Sequence, residues 1–239
     1  MFKMFKTRLI SSIVGIILLV IIMCAPPAVL GVSVFILSLI GLHEFYSALE
    51  HGGYKPVKWL GYLLCVPLLL VGVKGELGDF GKYVELFGSA EYLSAVLFAV
   101  LVILYCIVIF TNNKYNVVDA ALTVYGVFHL PFLFLFITLT RNLEGGIFFI
   151  WLIFIGAWVT DTFAYIFGNL FGKRKITPVI SPNKTLEGSV GGMLGCIGIM
   201  MLYGTFLIQG EHIDNISVIH FAIIGLLCGL VSQIGDLSA

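Results

Sequence analysis

Residues 146–168 read G-I-F-F-I-W-L-I-F-I-G-A-W-V-T-D-T-F-A-Y-I-F-G, and the fold turns on that run. A helix needs about 20 mostly apolar residues to cross the hydrocarbon core of a bilayer, and this stretch supplies them. Asp161 interrupts it. An ionisable side chain at membrane depth is costly, so Asp161 is read first as a functional residue.

The same reading applied outward finds seven further runs, at residues 8–24, 28–47, 58–73, 92–110, 117–139, 186–208 and 217–235. The run at 58–73 is short, and the last carries polar residues. Apolar residues make up 60% of the chain and charged residues 11%, with a mean hydropathy of +1.09. A water-soluble domain has roughly 25% charged residues, so this chain lacks the polar side chains to cover a soluble surface. The expected fold is an all-α integral membrane protein of eight helices. Helices are the default because lipid offers no partner to an unpaired backbone group, and the chain is expected to form one polytopic domain over residues 1–239. Pro26-Pro27, Gly52-Gly53, Asn112-Asn113 and Gly145-Gly146 punctuate the connections. The N-terminal run after Lys3, Lys6 and Arg8 has no small-x-small cleavage site and is read as a retained first helix.

Charge placement sets the direction. With the N-terminus inside and eight crossings, the inner segments hold ten basic residues: Lys3, Lys6, Arg8, Lys55, Lys58, Lys114, Lys173, Arg174, Lys175 and Lys184. The outer segments hold three, Lys74, Lys82 and Arg141, beside the acidic Glu76, Asp79, Glu85 and Glu91. A net charge of zero gives no argument for nucleic acid, and the five scattered cysteines form no CxxC pair.

Four places carry ionisable groups toward the inner side. Asp161, Tyr165, Gly168 and Gly172 share one helix face by spacing, and the basic trio Lys173-Arg174-Lys175 follows. Ser181-Pro182 reads as an N-cap and first-turn pair, with Asn183, Lys184, Thr185 and Glu187 crowded at the start of the next helix. A cationic loop between an intramembrane aspartate and a helix N-terminus suits an anion, because the N-terminal amides attract phosphate. It is not a Walker A loop, since Gly168 and Gly172 are separated by three residues where four are needed. The blander reading is that the lysines follow topology or touch anionic headgroups, and that Gly188, Gly191, Gly192 and Gly195 serve helix packing. Gly225, Gly229, Ser232 and Asp236 also share a face, ending in a carboxylate suited to a hard metal ion. His43-Glu44 and Asp119 complete the set. Asp119 reads as a helix-start charge near Lys114.

The blocks D-T-F-A-Y-I-F-G-N-L-F-G-K (161–173) and S-P-N-K-T-L-E-G-S-V-G-G (181–192), with G-D-L at 235–237, closely resemble the phosphatidate cytidylyltransferases, also called CDP-diacylglycerol synthases. Glu44 falls where that family tends to carry a glutamate. The resemblance implies condensation of CTP with phosphatidic acid to CDP-diacylglycerol and pyrophosphate, with Mg²⁺ required and room for a second, monovalent cation. It makes Asp161, Lys184, Glu187 and Asp236 the expected catalytic set, with Asp236 on Mg²⁺. Lys184, with Lys173, Arg174 or Lys175, is expected to hold the triphosphate, and Tyr165, Ser181, Asn183 and Thr185 complete the substrate-binding residues. Whether Asp161 and Glu187 position a cation, the ribose or a lysine stays open.

The expected partners are CTP, phosphatidic acid and bilayer lipid, with a homodimer left open. The site is expected to face the cytoplasm from the cell membrane. The family's signature continues past G-D-L with S-x-x-K-R, a K-D pair and H-G-G-x-x-D-R, whereas this sequence stops at Ala239. The expectation is therefore either a fragment or an inactive version, with the fragment favoured, and this chain incomplete as a catalyst by itself. The rival readings are a CTP-dependent lipid-alcohol kinase, a proton-coupled transporter using Asp161 and Glu44, and a non-catalytic scaffold.

Overall fold

Helices stop or start at the sequence punctuation: one ends at His51 before Gly52-Gly53, and others begin at Pro27 and at Gly146. The structure is a computed structural model that describes residues 2–78, 81, 84, 90–112, 114–178, 181–213 and 216–238. Asp79, Lys82 and Glu85 of the acidic outer segment, and Asn113, lie outside the described residues. The elements are α1 (Phe2–Cys24), α2 (Pro27–His51), α3 (Lys58–Leu63), α4 (Val66–Gly72), α5 (Ala90–Phe110), α6 (Val117–Val127), α7 (Leu133–Arg141), α8 (Gly146–Phe171), β1 (Lys175–Thr177), β2 (Ser181–Thr185), α9 (Leu186–Gln209) and α10 (Val218–Ser238).

Among the described residues, five helices are long and apolar enough to cross a membrane: Pro27–His51, Val117–Arg141, Gly146–Phe171, Leu186–Gln209 and Val218–Leu237. Apolar helical stretches of 10–17 residues occur at Arg8–Cys24, Lys58–Gly72 and Ser94–Phe110. Exposed Leu, Ile, Val and Phe line these helices, a surface that lipid accepts and water does not. The chain is an all-α membrane protein.

Two of the helices are irregular where proline dictates it. The short run at 58–73 breaks into α3 and α4 at Leu64 and Cys65. In a continuous helix the Pro67 ring would meet the carbonyl of Leu63 and leave it unbonded. Between α6 and α7 the backbone widens into a π turn over Phe128–Phe132 that contains Pro131. The wider turn accommodates a residue that has no N–H to donate, and the span continues through it.

Packing groups the chain into two units, Met1–Asn142 and Leu143–Ala239. In the first, α2 and α4 approach so closely at Gly31 and Gly72 that a methyl on either would strike the other's backbone. Asp119, only 3% exposed, is a helix-start residue as expected, but its partners are backbone amides and not the Lys114 side chain. Its Oδ2 accepts from Asn116 N at 3.0 Å and its Oδ1 from Lys55 N at 2.6 Å, while Asn116 Oδ1 accepts from Asp119 N at 2.9 Å. This reciprocal capping box ties the 52–57 connection to α6. Val57 N donates to Thr123 Oγ1 at 2.8 Å, and the Tyr46 hydroxyl donates to the Thr123 carbonyl at 2.8 Å.

In the second unit, α8, α9 and α10 run antiparallel in sequence order and close over Leu152, Cys196, Met200, Leu207 and Phe221. Small residues make the close approach. A Cβ on Gly188 would lie 2.7 Å from the Ala164 carbonyl oxygen and 3.0 Å from Gly168 Cα. On the other side of α9, one on Gly225 would lie 2.8 Å from Ile197 Cα. The packing role read for Gly188 from the sequence is the one it fills. The result brings the C-terminal end of α8, the N-terminal end of α9 and the C-terminal end of α10 to the same end of the unit.

Candidate active site

The loop that joins α8 to α9 departs from the sequence reading. Ser181 is not a helix N-cap. Residues Ser181–Thr185 are a strand, paired antiparallel with Lys175–Thr177, and α9 begins at Leu186 with Thr185 as its cap. The Thr185 hydroxyl accepts from Gly188 N at 3.2 Å. Pro182 explains part of this, since the residue before a proline avoids helical angles. Lys175 stands opposite Thr185 and Thr177 opposite Ser181, so β2 takes four steps over a span that β1 covers in two. Proline cannot donate to a ladder, and an irregularity of this kind re-aims side chains. Residues 179–180 lie outside the described residues.

Lys184 is the strand residue just before the cap. Its side chain is 23% exposed, its Nζ is shielded from solvent, and it forms an ion pair with Asp236 Oδ2. Asp236 stands in the last turns of α10 with a side chain 59% exposed. Asp161, three turns before the end of α8, experiences the charges of both Asp236 and Lys184. Three of the four expected catalytic residues thus come from three separate elements to one end of the helix trio: Lys184 is paired with Asp236, and Asp161 lies within reach of both charges. Sequence reasoning overlooked Gln233, one turn before Asp236. Its Nε2 donates to the Ser189 carbonyl at 3.0 Å, which holds the carboxylate-bearing end of α10 against α9. An amide in an otherwise apolar helix was the available signal.

Glu187 is directed elsewhere. Its Oε2 accepts from Lys173 N at 3.0 Å and from Arg174 N at 3.2 Å. The side chains of Lys173, Arg174 and Lys175 are exposed, as is Asn183, while Ser181 is half-buried and Thr185 buried. Tyr165 is 73% exposed. Gly168 and Gly172, expected on its face, pack against Thr185 instead: a Cβ on Gly172 would lie 2.8 Å from the Thr185 hydroxyl. Glu44 belongs to the first unit, where it is exposed, and the adjacent His43 Nδ1 lies 2.9 Å from the Tyr62 hydroxyl.

Residues 6–239 match the sequence model of the Cytidylyltransferase family. The chain is 28% identical over 232 residues to a phosphatidate cytidylyltransferase of Staphylococcus haemolyticus, covering 97% of this chain and 82% of that protein. A phosphatidate cytidylyltransferase of Staphylococcus aureus is 31% identical over 232 residues with the same coverage. One of Staphylococcus epidermidis is 28% identical over 235 residues, again at 97% and 82%.

Proposed function

From the premise that this chain belongs to the cytidylyltransferase family, we propose that it transfers the cytidylyl group of CTP to phosphatidate, making CDP-diacylglycerol. The observation that carries this to particular residues is the ion pair of Lys184 with Asp236, formed close enough to Asp161 for both charges to act on it. A phosphate oxygen of phosphatidate forms a bond to the α-phosphorus of CTP. The bond from that phosphorus to the oxygen bridging the β-phosphate breaks, and its electron pair leaves with pyrophosphate. Such a transfer asks for alignment and for positive charge near the moving groups, with little covalent chemistry from protein.

Lys184 supplies that charge. An ammonium is a compact point charge with three donors, and it can share them between Asp236 and phosphate oxygens. The exposed Lys173, Arg174 and Lys175 add a positive rim beside it, where CTP from water and an anionic headgroup from lipid can both arrive.

The donor set also fits a magnesium ion. Asp161 and Asp236 are hard oxygen ligands whose like charges are offset by a single lysine. Among the described residues, no group of three or more His, Cys, Asp and Glu side chains is gathered for a metal. Magnesium typically takes one or two carboxylates and completes its shell with water and substrate phosphates. We assign Asp236 to it; when bound, the ion would neutralise triphosphate charge as a Lewis acid.

The test uses CTP labelled at the α- or the γ-phosphate with vesicles containing phosphatidate. The expected result is lipid that gains α-label while pyrophosphate is released. Lipid gaining γ-label with release of CDP would instead establish a lipid kinase.

Eight crossings with a cytoplasmic N-terminus are supported by the ten-to-three basic asymmetry and by the eight apolar helical stretches. With the five native cysteines replaced, Asn183→Cys in intact cells is expected to resist a membrane-impermeant thiol reagent and to react once the membrane is opened. Labelling from outside in intact cells would reverse the orientation.

A further inference from the structure

We infer that Glu187 is a positioning residue, a latch whose carboxylate holds the root of the β1–β2 hairpin so that Lys184 meets Asp236. This rests on the cytidylyl-transfer reading of the site and separates Glu187 from the group that touches the reacting phosphates. The carboxylate occupies one place and its contacts fix what it does. A single oxygen accepts from the amides of Lys173 and Arg174, at 3.0 and 3.2 Å. In the opposite sense, Leu186 N donates to the Arg174 carbonyl at 2.8 Å. Gly172 N closes the end of α8 on the Gly168 carbonyl at 3.1 Å, and a Cβ on Gly172 would come within 2.8 Å of Thr185. The chain leaving α8 is therefore clipped to the first turn of α9 in both directions.

That clip sets the register. β1 starts at Lys175, the residue after the clip, and Lys175 pairs with Thr185. Lys184 is the neighbour of Thr185 in the paired strand, so the position of its ammonium follows from the position of residues 173–174. A carboxylate in the first turn of a helix is also favoured by the helix dipole, which keeps the latch shut with no substrate bound. The charges that act on Asp161 are those of Asp236 and Lys184. Those acting on Glu187 come first from the backbone amides of Lys173, Glu187 and Arg174, and last from the Arg174 charge.

The roles of charge and of acceptor oxygen can be separated. Glu187→Gln keeps an oxygen that accepts both amides but removes the charge, whereas Glu187→Ala removes both. Turnover and KM for CTP, with phosphatidate in vesicles, are measured beside hydrogen–deuterium exchange of the 172–185 segment and thermal unfolding. Displacing a catalytic charge by about 1 Å costs on the order of 10²-fold. Glu187→Ala is therefore expected to lose about tenfold to a hundredfold in kcat, with faster exchange at Lys173 and Arg174. Glu187→Gln is expected to stay within about threefold of the parent in kcat, and its exchange stays slow. A glutamine variant as impaired as the alanine variant, with hairpin exchange unchanged, would overturn the latch in favour of direct chemistry by the carboxylate. A lower KM for CTP in Glu187→Ala would overturn it too, by showing that the 173–174 amides receive phosphate. Exchange does not depend on turnover, so a parent that fails to transfer a cytidylyl group refutes the function while leaving the latch to be judged by its amides.

Discussion

Lys184→Ala is expected to lower CTP incorporation into lipid by about 10²–10³, the usual loss when one oriented electrostatic contact to a developing charge is removed. The thermal midpoint in detergent is expected to move little. The lysine is 23% exposed and its partner Asp236 is 59% exposed, so the carboxylate left behind is solvated and no buried charge is stranded. An ion pair whose carboxylate is that open to water contributes only about 0–1 kcal/mol. Lys173→Ala is the control. Its side chain is exposed, and the contact that matters structurally, its amide to Glu187, survives the substitution. A loss of no more than about tenfold is expected there, from a weaker positive rim. If the two variants lose equally little, the lysines report topology and Lys184 is no part of a nucleotide site.

The helices were legible because a bilayer imposes one rule on every residue in it, and five of the eight runs are helices long and apolar enough to cross one. Each apolar run found in the sequence is helical in the structure, and even the weakest, at 58–73, shows its defect as Pro67. Asp161, Lys184 and Asp236 were legible as charges out of place. The hairpin was not. Ser181-Pro182 satisfies the first-turn rule for a helix as well as it satisfies a strand, and the choice between them is made by Lys175–Thr177, a partner in space. The same limit hid the role of Glu187. From sequence it was one more carboxylate beside a lysine, and only the path of the chain after Gly172 shows that backbone amides reach it first. Asp119 is a partial case in the first unit: its place at a helix start was legible, but the amide of Lys55 that it accepts from was not.

Asp236→Asn is expected to match the loss at Lys184, about 10²–10³ in turnover, and to do so by a different route. Asparagine preserves the volume and an acceptor oxygen, so Lys184 keeps a hydrogen-bond partner while the negative charge disappears. If Asp236 served only to hold the lysine, Asn would be mild, and the loss would not depend on divalent cation. As a cation ligand, its neutralisation weakens binding of the ion, and even changes to groups supporting a metal's ligands cost about 10–100-fold in affinity. The magnesium concentration for half-maximal activity is therefore expected to rise at least about tenfold in Asp236→Asn. In Lys184→Ala it should stay close to the parent value or fall, since a competing positive charge has gone. The double variant adds the decisive comparison. Groups that act as one unit are strongly non-additive, so a double variant no worse than the poorer single variant means that the ammonium and the carboxylate serve one step together. Fully additive losses, with magnesium dependence unchanged in Asp236→Asn, would dissolve the pair into two unrelated contacts and remove the cation from Asp236.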